Sequence, residues 1–107
     1  MNKQMNTTID FEFCDGTSAK MTLTFYALYK LKSKNTVLYN RYNRCLNAVQ
    51  KDTADELDTI TILYTAYICA NMDEENLLTE EEFIMKCGSD RVAVSKAARA
   101  LTQPKKQ

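Results

Sequence analysis

The chain has no histidine and no tryptophan, only two glycines and one proline, and four cysteines in 107 residues. Without histidine it lacks the side chain that titrates nearest neutral pH and carries most general acid/base catalysis. The glycines, Gly16 and Gly88, stand far apart, so there is no glycine-rich loop to cradle a phosphate group. No apolar run approaches the roughly 18 residues that suggest a membrane span. The first residues, Met1-Asn2-Lys3-Gln4, are polar and lead into no hydrophobic stretch of the kind that directs secretion. These absences predict a cytoplasmic protein that is not an enzyme, uses no cofactor and has no membrane partner.

Cys14, Cys45, Cys69 and Cys87 are scattered, with no close CxxC pair to announce a zinc or redox site. In a cytoplasmic protein they read as thiols. Cys45, Cys69 and Cys87 also fall within helical apolar patterns, as small buried hydrophobes do.

What the chain does have is charge in blocks. Residues 26–51 hold Lys30, Lys32, Lys34, Arg41, Arg44 and Lys51 and no acid. Residues 52–85 hold Asp52, Asp55, Glu56, Asp58, Asp73, Glu74, Glu75, Glu80, Glu81 and Glu82 and no base. From Lys86 onward the bases return, with Asp90 as the single acid. A formal net charge of zero thus conceals opposite-signed segments. Such segments steer a protein toward a partner, or toward another copy of itself.

Hydropathy changes period once. Ile9, Phe11 and Phe13 alternate with polar residues, Asp15-Gly16 supplies a turn, and Ala19, Met21 and Leu23 alternate again. This predicts a β-hairpin with one buried face. Beyond Thr24 the period is helical. A short helix near residues 25–34 places Phe25, Leu28 and Leu31 on one side, and Asn35 caps a second helix striped by Leu38, Tyr42, Cys45, Leu46 and Val49. A third, from Asp55 to about Ala70, is acidic at its start and then almost wholly apolar, as is a helix that is central or else half covered by a second protein. Thr79-Glu80-Glu81-Glu82 is a capping box opening a fourth helix that carries Phe83, Ile84 and Cys87 inward and stops at Gly88. A fifth, near residues 90–101, carries Val94, Ala97, Ala98 and Leu101.

The predicted fold is therefore mainly α, a small bundle of four to five helices with an N-terminal β-hairpin. Its length and 45% apolar content suit one domain over residues 1–103, with the hairpin at about 8–24 and the helices at about 25–101. Residues 104–107, with Pro104, Lys105 and Lys106, are expected to form a flexible basic tail.

Two stretches carry candidate sites. Set against an EF-hand loop, Asn71, Asp73 and Glu75 fall on positions 1, 3 and 5 and Glu82 on the bidentate twelfth. Asn71 replaces the usual Asp, Glu75 is long for its place, and Asn76 stands where the turn glycine belongs, so the expected reading is a capped acidic connection without a metal. An EF-hand-like calcium module is the alternative. The second stretch interleaves aromatics and bases, which suits an ordinary helix surface and also makes Tyr26, Tyr29, Lys30, Lys34, Arg41 and Arg44 partner-docking candidates. A small nucleic-acid-binding regulator would rest on the same bases. Against it, the adjoining acidic block repels phosphate, and residues 47–54 lack a glycine-containing turn.

The hairpin, Phe25-Tyr26-Ala27-Leu28-Tyr29-Lys30-Leu31, Leu63-Tyr64-Thr65-Ala66-Tyr67-Ile68-Cys69-Ala70-Asn71 and Leu78-Thr79-Glu80-Glu81-Glu82-Phe83-Ile84 follow one another in an order that resembles the small tail assembly chaperones of long-tailed phages and prophages of Gram-positive bacteria. The likeness spans roughly residues 9–101 and rests on apolar and aromatic patterns. It implies a protein that holds the phage tape-measure protein, helps tail-tube protein polymerise around it in the host cytoplasm, and is left out of the finished virion. Self-association is a further expectation.

Overall fold

Residues 8–102 are described by a computed structural model. The basic tail expected at 104–107 and the polar start at 1–4 lie outside the described residues.

The period-two segment forms strands β1 (Thr8–Glu12) and β2 (Ser18–Thr22), antiparallel, with Ile9 opposite Met21 and Phe11 opposite Ala19. The turn is closed by Asp15, whose Oδ1 accepts from the Thr17 amide at 3.0 Å and the Thr17 hydroxyl at 2.6 Å. Those bonds, with Lys86 nearby, hold the Asp15 carboxyl down to about 2. Phe11, Phe13 and Met21 all point into the core. A two-stranded sheet is marginal alone. Here β2 lies on the third helix and β1 on the fifth.

Five helices follow: α1 (Phe25–Lys34), α2 (Thr36–Gln50), α3 (Glu56–Ala70), α4 (Glu80–Cys87) and α5 (Arg91–Thr102). Their starts are where polar side chains satisfy free amides. Thr24 accepts from Ala27, Asn35 from Leu38, and both Asp55 with Asp58 and Thr79 with Glu82 form reciprocal capping boxes. α4 ends at Gly88, whose φ of +65° and ψ of −125° suit glycine, and a Cβ there would stand 2.2 Å from the Cys14 sulfur.

α3 is the hub, packed by β2 and by each of the other helices. Ile62, Leu63 and Ala66 are fully buried, and Thr65 is carried inside by donating its hydroxyl to the Thr61 carbonyl at 2.8 Å. Phe83 of α4 fills the space between α3 and the hairpin, edge-on to Phe13 and tilted against Tyr64 and Tyr67. The two tyrosines also grip the chain just before α4. Tyr64 Oη donates to the Leu78 carbonyl at 3.0 Å, and Tyr67 Oη accepts from the Leu78 amide at 2.9 Å.

Two side chains depart from the expected inward stripes. Phe25 is 91% exposed, because α1 turns Ala27 and Leu31 to the core and Phe25 lies roughly 120° around the helix from Leu31 at 100° per residue. Ile84 is also exposed, since the eight residues of α4 offer the core only Phe83 and Cys87.

Candidate functional site

α1 presents rings to solvent. Its start is set by Thr24, whose Oγ1 accepts from the Ala27 amide at 3.2 Å. With Ala27 and Leu31 inward, Phe25, Tyr26 and Tyr29 are left outward, both tyrosines 69% exposed. Tyr26 and Tyr29, one turn apart, stack with ring centroids 6.3 Å apart and planes 24° apart. Lys30 Nζ stands 5.2 Å from the Tyr26 centroid, so cation and ring are held together. Lys32 and Lys34 sit in the last turn, where the helix dipole favours cations, and Lys32 lies over Tyr39 of α2. The result is an ordered aromatic surface edged by bases, able to take an apolar ridge flanked by carboxylates.

Of the six predicted docking residues, Tyr26, Tyr29, Lys30 and Lys34 share this helix. Arg41 does not join them. Its guanidinium makes a two-pronged pair with Glu80 at the start of α4, at 2.8 and 2.7 Å, and leans toward the Thr61 hydroxyl at 3.5 Å. Hydrogen bonding from Arg41 holds the Glu80 carboxyl below its ordinary value. Arg44 is exposed on α2 and makes no ion pair among the described residues. The charge blocks thus partly neutralise one another through Arg41 with Glu80 and Arg91 with Glu56, while Lys86 pairs with Asp15 of the hairpin turn. Among the described residues Lys30, Lys32 and Lys34 of α1 enter no ion pair, and neither do the exposed bases Arg44, Lys51, Lys96 and Arg99.

Two of the four EF-hand positions serve other ends. Asn71 turns its amide nitrogen to the carbonyls of Tyr67 at 2.7 Å and Lys20 at 3.1 Å, closing α3 and pinning β2 to it. Glu82 is in α4, where Oε1 accepts from the Thr79 amide at 2.9 Å. Asp73 and Glu75 are exposed in the connection between them. Among the described residues no three His, Cys, Asp or Glu side chains gather where one metal ion could be held.

Cys45, Cys69 and Cys87 are buried, and burial pushes the Cys69 thiol up to about 12. Cys14 is exposed. A groove of about 630 Å³ between the start of α3 and the α4–α5 turn has Leu57, Ile60, Ile84 and Val94 in its wall and the Glu56–Arg91 pair at its rim. Sequence reasoning missed Phe25 as a surface residue and Asn71 as a clamp. The first depends on helical phase, the second on a partner 51 positions away in the chain. Among the described residues no helix is long and apolar enough to cross a membrane. Comparison with protein-family models, with curated proteins and with solved structures finds no match to this chain.

Proposed function

We propose that this chain is a non-enzymatic docking protein that acts as a phage tail assembly chaperone, holding the tape-measure protein through the outer face of α1 while tail-tube protein assembles. Its place of work in this reading is the bacterial host cytoplasm. The observation that carries the reading is the exposure of Phe25, Tyr26 and Tyr29 on one short helix, with the two tyrosines pre-stacked and Lys30 against one of them. Large rings exposed together are costly to solvate and mark interaction surfaces. Aromatic anchors also dominate binding energy where interfaces have been dissected. An elongated partner would meet many copies of this one modest face, and summed weak contacts give strong retention.

Co-expression with the tape-measure candidate encoded downstream tests the reading. Wild type should keep that protein soluble and be captured with it, and Phe25→Ala with Tyr29→Ala should weaken capture at least about tenfold, the loss of one modest hot spot. Salt near 1 M, where the Debye length is about 3 Å, should weaken it further without unfolding the chain. If wild type leaves the candidate insoluble and unbound, the chaperone reading fails. If the ring variants bind as wild type does, the face is wrongly assigned.

A further inference from the structure

We propose that Cys14 and Cys87 are a paired thiol site, which peroxide closes to a disulfide joining the hairpin turn to the end of α4. Both the backbone and the side chain of Cys14 address the last residues of α4. Its amide donates to the Lys86 carbonyl at 2.9 Å, and its Sγ donates to the Cys87 carbonyl at 3.2 Å. With standard peptide dimensions, the amide contact alone keeps the two Cα atoms within about 7 Å. That is the outer limit for closing a disulfide without moving the backbone. Gly88 contributes by omission, since any side chain there would occupy the space that the Cys14 sulfur fills.

The two thiols are unequal in a way that orders the chemistry. Cys14 is exposed and meets a dissolved oxidant first, whereas Cys87 is 3% exposed and meets it only through Cys14. Desolvation, with a smaller contribution from Cys14, pushes the Cys87 thiol up to about 11, so it waits protonated. The Cys14 thiolate attacks one peroxide oxygen, the O–O bond breaks, and the departing hydroxide takes a proton to become water. Cys14 is left as the sulfenic acid. The Cys87 sulfur then displaces that hydroxyl, forming the S–S bond, and the Cys87 proton leaves with it as a second water. Two thiols and one hydrogen peroxide thus give one disulfide and two waters. Cys45 and Cys69, buried in other parts of the core, are built-in controls.

The experiment treats the full chain with hydrogen peroxide and maps its peptides without reduction. The expected result is one intramolecular link between the peptides holding Cys14 and Cys87, with a mass loss of about 2 Da for two hydrogens removed. The urea midpoint should rise in step and return with reductant, because the link closes a segment spanning 73 positions. Cys14→Ser, at an exposed site, should abolish both changes, and Cys69→Ser should abolish neither. Over-oxidised Cys14 beside a free Cys87 would overturn the proposal. So would a link between two copies of Cys14, or a midpoint shift that survives in Cys14→Ser.

Discussion

One substitution made at two places separates what holds this molecule together from what the proposed function has it offer to a partner. Phe83 is fully buried, with ring centroids of Phe13, Tyr64 and Tyr67 at 5.6, 5.3 and 5.4 Å. Truncating a buried phenylalanine to alanine costs about 3–5 kcal/mol, from lost transfer energy and the cavity left behind. Three ring neighbours, two fixed on α3 and one in the hairpin, cannot collapse together into that space, so Phe83→Ala belongs in the upper part of the range, at about 4–5 kcal/mol. For a domain of this size each kcal/mol lowers Tm by about 4–8 °C, giving a fall of roughly 16–40 °C. Phe25 loses the same atoms in Phe25→Ala but stands 91% exposed, so stability should move by no more than about 0.5 kcal/mol. Urea titration followed by far-UV circular dichroism reads both, and capture of the tape-measure candidate reads the second alone. The expected pattern is a large stability loss for Phe83→Ala, and for Phe25→Ala unchanged stability with weakened capture. A loss below about 1.5 kcal/mol at Phe83, or above it at Phe25, would refute the placement of the two rings.

Gly88→Ala should cost about 2–3 kcal/mol, from a positive φ and from the clash with the Cys14 sulfur. Adding Cys14→Ala should restore part of that loss in a double-mutant cycle, and simple additivity would sink the argument. Glu80 releases its proton more readily in the folded chain than in the unfolded one, because Arg41 stabilises the carboxylate. The stability it contributes is therefore full above the ordinary glutamate pKa of 4.5 and is lost as pH falls through the lowered folded value. With the two side chains 36% and 29% exposed, Glu80→Gln should cost about 1 kcal/mol at neutral pH. The gap between variant and wild-type urea midpoints should close in acid, and a gap unchanged by pH would contradict the pairing. Asn71→Ala should cost about 1–2 kcal/mol through its two lost hydrogen bonds, while calcium leaves the wild-type Tm unmoved. A calcium-dependent rise in Tm that disappears in Glu82→Gln would instead restore the metal reading.

Much of the fold was legible because local rules and packing agree here. The change of period after Thr24, the Asn35 and Thr79 caps, the acidic start of α3 and the stop at Gly88 are each written in a few adjacent residues, and each appears in the structure, where Asp55 proves to be a cap as well. The near absence of a polar face on residues 60–70 likewise forecast a central helix. Phase within a short helix was harder. In α1 either Phe25 or Ala27 can complete a stripe with Leu28 and Leu31, and hydrophobicity favours the wrong one. Charge was legible as blocks but not as pairs. Arg41 and Glu80 are 39 positions apart, and only the packing of α2 and α4 on α3 brings them together. The pairing of Cys14 with the end of α4 is of the same kind, a meeting of segments that no spacing rule anticipates.

The tyrosine grip on Leu78 also determines where this protein tolerates added length. Because Leu78 is fixed through both its amide and its carbonyl, α4 takes its starting point from α3 and not from the path of the connection that leads to it. Asn71 anchors the other end just as locally. Between those anchors Asp73, Glu74, Glu75 and Asn76 are exposed, and a loop held at both ends costs only about 0.6 kcal/mol more for each doubling of its length. An epitope or a fluorophore-bearing peptide spliced between Glu74 and Glu75 should therefore leave the fold and the face of α1 intact, and gives a handle for following the protein.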